Sequence, residues 1–231
     1  MSDTRTGRRL ALLEGKPDGV LLVHEIYRSL QGESTFAGLP FAFVRLAVCD
    51  ARCTWCDTPH AFYEGKRMSV DEVVDAVVDL DVPRVLVTGG EPMLQDEVHP
   101  LMAWLCDRGC VVLLETSGAH DVRRVDPRVH VIMDIKCPDS GESENHRWEN
   151  LDVLWPNAQI KFVVASREDF TWAAARCLEH HLTERFEVLF SAAFELVAPR
   201  DLAGWLLDSG LRARMQLQQH KYIWEPDTRG V

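Results

Sequence analysis

From Val20 onward the sequence repeats one alternation: a short run of branched and aromatic residues, a polar cluster, then a segment with helical spacing. Runs of the first kind are Val20–Ser29 (VLLVHEIYRS), Phe41–Ala47 (FAFVRLA), Arg84–Thr88 (RVLVT), Cys110–Leu114, Val129–Met133, Ile160–Ala165, Phe186–Ser191 and Met215–Gln219. Their length and composition read as strands. The clearest helix starts at Ser69, which forms a capping-box pattern with Glu72. Val70, Val73, Val74, Val77 and Val78 then repeat at helical spacing. Further helices are expected over Asp96–Asp107, Glu168–His180 and Leu202–Leu207. Strands alternating with helices imply parallel strands joined by right-handed crossovers, hence an α/β fold of the partial (open) barrel kind. In such folds the loops at the carboxyl ends of the strands build the site. The polar motifs of this chain all fall there.

The rest of the composition narrows the function. The 36 acidic side chains outnumber the 25 basic ones, for a net charge of −11, which removes the electrostatic footprint of a nucleic-acid binder. No apolar run is long enough for a membrane span. Seven cysteines, odd in number and clustered, argue against a disulfide framework and for a reducing compartment, so a cytoplasmic protein is expected. A small-molecule substrate is favoured. Residues 1–19 are polar and aperiodic and read as a flexible N-terminal lead-in, with residues 20–231 as a single domain. The loop Pro138–Asn150 has the most mobile composition.

Cys49-Asp-Ala-Arg-Cys53-Thr-Trp-Cys56 places three thiols within eight positions. Three thiolates can grip one soft metal centre from a short loop, and they leave one coordination position open for substrate. A zinc loop or three buried thiols are the alternatives. The remaining cysteines, Cys106, Cys110, Cys137 and Cys177, share no ligand spacing and read as packing residues. His24, His180 and His181 read as packing or surface residues. Arg45 is a lone cation in an apolar strand, so it needs an anionic partner, either a structural carboxylate or a ligand. Gly89-Gly90-Glu91-Pro92 follows a strand and taken alone is a tight turn. Glu115-Thr116-Ser117-Gly118 and Asp134-Ile135-Lys136 close the next two strands, as site residues or as loop caps.

Together these motifs resemble the radical S-adenosylmethionine (SAM) superfamily, through the C-x3-C-x2-C loop and the GGEP turn. Within it, Ser29-Leu30-Gln31-Gly32-Glu33, Phe43-Val44-Arg45, Cys56-Asp57-Thr58, Asp134-Ile135-Lys136-Cys137-Pro138 and Gln218-Gln219-His220-Lys221 resemble the 7-carboxy-7-deazaguanine synthase family, from about residue 20 to 224. The resemblance implies a radical-SAM type core with a 4Fe-4S cluster on Cys49, Cys53 and Cys56. It implies SAM held by Trp55, Cys56, Asp57, Gly89, Gly90, Glu91, Ser117, Lys136, Cys137 and Pro138. The pterin substrate would meet Leu30, Gln31, Gly32, Glu33, Arg45, Thr88 and His220, and Thr58 would ligate Mg2+.

The implied reaction is contraction of 6-carboxy-5,6,7,8-tetrahydropterin with loss of ammonia, in queuosine and deazapurine biosynthesis. Its radical comes from SAM, abstracts hydrogen from C6, and leaves no side chain as catalytic acid or base. An electron donor such as flavodoxin or ferredoxin and a homodimeric state are implied as well. The sequence departs from the family at Ser34, where glycine is usual. The tail Glu225–Val231 follows the His-Lys motif and leaves any role of the terminal carboxylate open. An activating enzyme that installs a glycyl radical shares the cysteine loop but does not require the Gln31, Arg45 and Thr88 pocket. A non-catalytic iron-sulfur or zinc module would leave Gly89–Pro92 without a role.

Overall fold

The computed structural model describes residues 10–226 and 228–231. Nine strands form one sheet: β1 (Val20–Leu30), β2 (Pro40–Leu46), β3 (Lys66–Ser69), β4 (Arg84–Gly89), β5 (Val111–Thr116), β6 (His130–Lys136), β7 (Gln159–Val164), β8 (Glu187–Ala192) and β9 (Arg214–Gln216). Their spatial order is β3-β1-β2-β4-β5-β6-β7-β8-β9. From β2 to β9 every neighbouring pair is parallel. β1 runs antiparallel to both β2 and β3, which departs from the expected all-parallel order. The reason is connection length: residues 31–39 are too few for the crossover that parallel pairing requires. β3, a polar edge strand, carries no apolar pattern to announce it.

Helices cover one face of this sheet. α1 (Val70–Val78) starts as the capping box predicts, with the Glu72 N–H donating to the Ser69 hydroxyl at 3.2 Å and the Ser69 N–H to the Glu72 carboxylate at 2.7 Å. Val70, Val73, Val74 and Val77 are buried, whereas Val78, expected on the same face, is exposed. α2 (Val98–Asp107), α3 (Arg167–Glu179), α4 (Leu182–Arg185) and α5 (Pro199–Ser209) follow, and α6 (His220–Ile223) is a single turn. Their buried residues, among them Leu101, Phe170 and Leu202, join Val44, Val87, Leu114 and Ile160 in the main core. Truncating a fully buried member such as Leu101 to alanine costs about 2–5 kcal/mol.

Two segments read as loose in sequence are tied down. Lys16 donates to the Val20 carbonyl at 2.6 Å and pairs with Glu97, while Leu10 and Leu13 pack against Leu22, Ala47 and Val48. Residues 1–9 of the expected lead-in lie outside the described residues. The Pro138–Asn150 loop folds into short 3-10 turns, and buried Asn150 donates to the carbonyls of Gly118 at 2.9 Å and His120 at 2.7 Å. Among the described residues no helix is long and apolar enough to cross a membrane.

Candidate active site

Strand alternation sorts the sheet into two chemistries on the face away from the main core. Phe41, Phe43, Leu86, Leu113 and Ile132 form a small apolar cluster there. Two residues further along the same strands, and so on the same face, stand Arg45, Thr88, Glu115 and Asp134, joined by Lys161 of β7. Arg45 is in register with Thr88, and Asp134 with Lys161. The apolar residues plug one end of the sheet's concave face and the polar layer lines the other, at the carboxyl ends. Beside that layer opens a cleft of about 790 Å³ that also takes in the cysteine loop.

Cys49, Cys53 and Cys56 all line this cleft, with Trp55, Asp57 and Thr58 beside them. Arg52 holds the loop in shape. Its Nη1 donates to the carbonyls of Cys49 at 2.7 Å and Ala51 at 2.6 Å, its N–H to Glu142 at 2.6 Å, and its guanidinium lies 4.1 Å over the Phe62 ring. Burial and the Glu91 carboxylate push the Cys49 thiol up to about 12, and burial also raises Cys53. A thiolate at such a place needs a cation bonded to it. Iron meets that need, because coordination deprotonates a thiol outright, so this donor set fits the three-thiolate side of a cluster.

The GGEP turn is shaped by backbone packing. A Cβ on Gly89 would lie 2.2 Å from the Leu46 carbonyl oxygen, and one on Gly90 2.0 Å from that of Val48. Gly90 N–H donates to Leu46 O at 3.0 Å and Glu91 N–H to Val48 O at 2.8 Å. The glycines therefore let the end of β4 close against the end of β2, which carries the cysteine loop. Glu91 itself is buried and collects Thr116 and Ser117 from the end of β5.

Lys161 is the centre of the polar layer. Its Nζ lies 2.9 Å from Glu33 Oε2 and 3.1 Å from Asp134 Oδ2, and it also pairs with Glu115. Burial pushes the Asp134 carboxyl up, but Lys136 and Lys161 outweigh it and hold Asp134 at about 2. Burial raises Glu33, and Lys161 only partly offsets that. Glu33 Oε1 and Asp134 Oδ1 are buried with no hydrogen-bond partner among the described residues. A buried acceptor left unpaired costs about 1–3 kcal/mol, so both fit a ligand that brings donors.

Arg45 is half-buried and already has a structural partner: Nε donates to Glu25 at 2.8 Å and Nη2 to the Tyr27 hydroxyl at 2.9 Å. The structural reading of this arginine is therefore met, and the residue also lines the cleft. Leu30, Gln31, Gly32, Glu33, Thr88 and His220 line it as well. Gly32 is glycine for a steric reason, since a Cβ would lie 2.3 Å from His220 Nδ1. Ser34 sits at φ 66°, in the left-handed region where glycine is easiest. It holds that conformation with its N–H on Gln216 at 2.7 Å and its hydroxyl accepting from Phe36 N–H at 3.1 Å.

Gly89, Gly90, Glu91, Ser117 and Lys136 complete the expected residues on the cleft wall. Cys137 and Pro138 are not on it. Cys137 is fully buried in the main core, and Pro138 opens the 3-10 turn whose Ser140 carbonyl accepts from Thr54 N–H at 3.1 Å, so this segment braces the cysteine loop from behind. Sequence reasoning missed Lys161, Glu25 and Tyr27. Lys161 gave the same signal as Arg45, a single cation in an apolar strand. Tail residues Thr228–Val231 also line the cleft, and Arg229 lies 3.6 Å from Glu64.

The family model for the Radical SAM superfamily matches residues 44–132, from β2 to β6 and through the cysteine loop and the GGEP turn. Fold and site therefore define a radical SAM protein, a class that carries a 4Fe-4S cluster and SAM. The 7-carboxy-7-deazaguanine synthase of Chlorobaculum tepidum is 48% identical over 91% of this chain and 97% of its own length. That of Koribacter versatilis is 45% identical over 90% and 99%. The chain belongs to the 7-carboxy-7-deazaguanine synthase family. The crystal structure of QueE from Escherichia coli shares the fold, with a TM-score of 0.72 and 21% identity over 93% of this chain and 99% of that one. These relatives do not favour the activating-enzyme alternative.

Proposed function

We propose that the protein makes 7-carboxy-7-deazaguanine from 6-carboxy-5,6,7,8-tetrahydropterin with loss of ammonia. One observation carries this: a single cleft joins the three-cysteine loop to a layer of buried and half-buried paired charges in which two acceptor oxygens have no partner among the described residues. When bound, the cluster and SAM supply a 5′-deoxyadenosyl radical. Cys49, Cys53 and Cys56 hold the cluster, and the Gly89–Glu91 turn, Ser117 and Lys136 form the wall on which SAM is placed. Arg45, held by Glu25 and Tyr27, offers Nη1 to the substrate carboxylate. Glu33 and Asp134 offer their free oxygens to ligand N–H and O–H groups, and Gln31, Gly32, Thr88 and His220 confine the pterin between them.

Burial of this layer keeps water from a reactive centre. Thr58 would hold Mg2+ through its hydroxyl, which makes no capping bond to the turn it precedes. A homodimer is supported by the place of β9 at the edge of the sheet and by exposed Leu196, Leu217, Tyr222 and Ile223 in neighbouring segments. The free thiol state of all seven cysteines suits the reducing cytoplasm, where flavodoxin or ferredoxin serves as electron donor. The test is anaerobic reconstitution with iron and sulfide, followed by incubation with reductant, SAM and the carboxytetrahydropterin. An ultraviolet-absorbing deazapurine is expected, and SAM cleavage that never yields it would refute the assignment.

A further inference from the structure

β1 breaks its alternation once, at a register shift against β2 between Val23 and Glu25. In an unbroken strand the adjacent His24 and Glu25 would face opposite sides, but an irregularity of this kind re-aims its neighbours. Here one ring nitrogen of His24, one carboxylate oxygen of Glu25 and one ring nitrogen of His60 lie within 4.8 Å of one another. His60 arrives from the turn Pro59–Phe62 that follows the cysteine loop, and its ring centroid is 4.9 Å from that of His24. All three side chains are half-buried. His24 and His60 have no part in the chemistry assigned above.

The hydrogen bonds of His24 and Glu25 each leave one possible ligand atom unused. His24 Nδ1 lies 2.9 Å from the Glu64 carbonyl oxygen, so donation there leaves Nε2 as the lone-pair nitrogen. That is how metal-binding histidines are commonly held. Glu25 accepts from Arg45 through Oε1, which leaves Oε2. Of the neighbouring cations, Arg229 lies 3.6 Å from the Glu64 carboxylate, and Arg45, 2.8 Å from Glu25, would share that carboxylate with the ion.

We propose that His24, Glu25 and His60 form a second metal site, distinct from the cysteine loop, for a divalent cation of borderline softness such as Zn2+. Two imidazoles and one carboxylate select such an ion over Mg2+, which prefers oxygen ligands in an octahedral shell. Three protein ligands leave a fourth position open.

The experiment uses the anaerobically reconstituted holoprotein, dialysed against Zn2+ in the presence of excess Mg2+ and assayed for bound zinc and iron. Wild type should retain one zinc per chain beyond the cluster. His24→Gln and His60→Gln should each weaken zinc binding more than about tenfold while cluster iron and the melting temperature hold. A Cys106→Ser, Cys110→Ser double variant should bind zinc as wild type does. Zinc-edge X-ray absorption of wild type, which needs no variant, should show nitrogen and oxygen ligands at about 2.0–2.2 Å and no sulfur at about 2.3 Å. The proposal is overturned by a wild type that retains no zinc, by zinc that survives both histidine changes or leaves with the two thiols, or by sulfur in the absorption spectrum.

Discussion

Ser117 bonds twice to Glu91, its backbone N–H reaching Oε2 at 2.8 Å and its hydroxyl reaching the same oxygen at 2.7 Å. Thr116 Oγ1 and Met93 N–H donate to Oε1 at 2.7 and 3.0 Å, so a carboxylate only 1% exposed gathers four donors. Through it the GGEP turn is locked to the end of β5, and through the Glu91 N–H to the end of β2. The acid of this turn is thus a structural clasp whatever it offers to SAM.

Glu91→Gln keeps the shape but turns one accepting oxygen into a donor facing other donors. Loss of charge-assisted bonds is worth about 1.5–3 kcal/mol, which lowers Tm by several degrees in a domain of this size. SAM affinity should fall with it. Thermal denaturation and SAM titration check this; an unchanged Tm would show that the clasp carries no stability.

Lys161→Met removes the cation shared by Glu33, Glu115 and Asp134. Breaking a buried pair costs about 3–5 kcal/mol, measurable by urea unfolding. The pH dependence has a definite sign. Burial already raises the Glu33 carboxyl, and without Lys161 it rises further. A folded state that binds more protons than the unfolded one loses stability as pH rises. The deficit of the variant should therefore be smaller at pH 5.5 than at pH 8, and a deficit that grows on acidification would contradict the pairing.

Arg45→Ala should reduce substrate affinity by about ten- to a hundredfold, corresponding to the loss of one charge-assisted contact. SAM cleavage without substrate should persist. Because Glu25 and Tyr27 also lose a partner, stability should drop as well. A folded variant with unchanged substrate affinity would leave Arg45 with its structural role alone.

Replacing Cys49, Cys53 or Cys56 with serine should abolish the brown absorbance of the reconstituted protein. Cys106→Ser and Cys177→Ser should retain it, since neither thiol lines the cleft. Loss of the chromophore with Cys177→Ser would contradict a three-thiolate assignment.

Much of this layout was legible in the sequence because strand alternation and strand-end motifs are local signals. Arg45 stood out as a lone cation in FAFVRLA, and every thiol of the C-x3-C-x2-C loop reached the cleft. Three kinds of feature were not legible. Lys161 sends the same signal as Arg45, but its meaning depends on Glu33, Glu115 and Asp134, which lie far apart in the chain and meet only across the sheet. Cys137 sits in a motif beside the site, yet its side chain turns into the core, and spacing alone does not show which way a loop residue faces. The glycines of the GGEP turn are dictated by the Leu46 and Val48 carbonyls, a close approach that exists only once β2 and β4 pair.

The most direct measurement follows one hydrogen atom. Substrate deuterated at C6, turned over anaerobically by the reconstituted enzyme, should transfer its label to 5′-deoxyadenosine, raising that product's mass while the 7-carboxy-7-deazaguanine accumulates. Unlabelled 5′-deoxyadenosine beside an accumulating deazapurine would contradict abstraction at C6, and SAM cleavage with no deazapurine at all would contradict the assigned reaction.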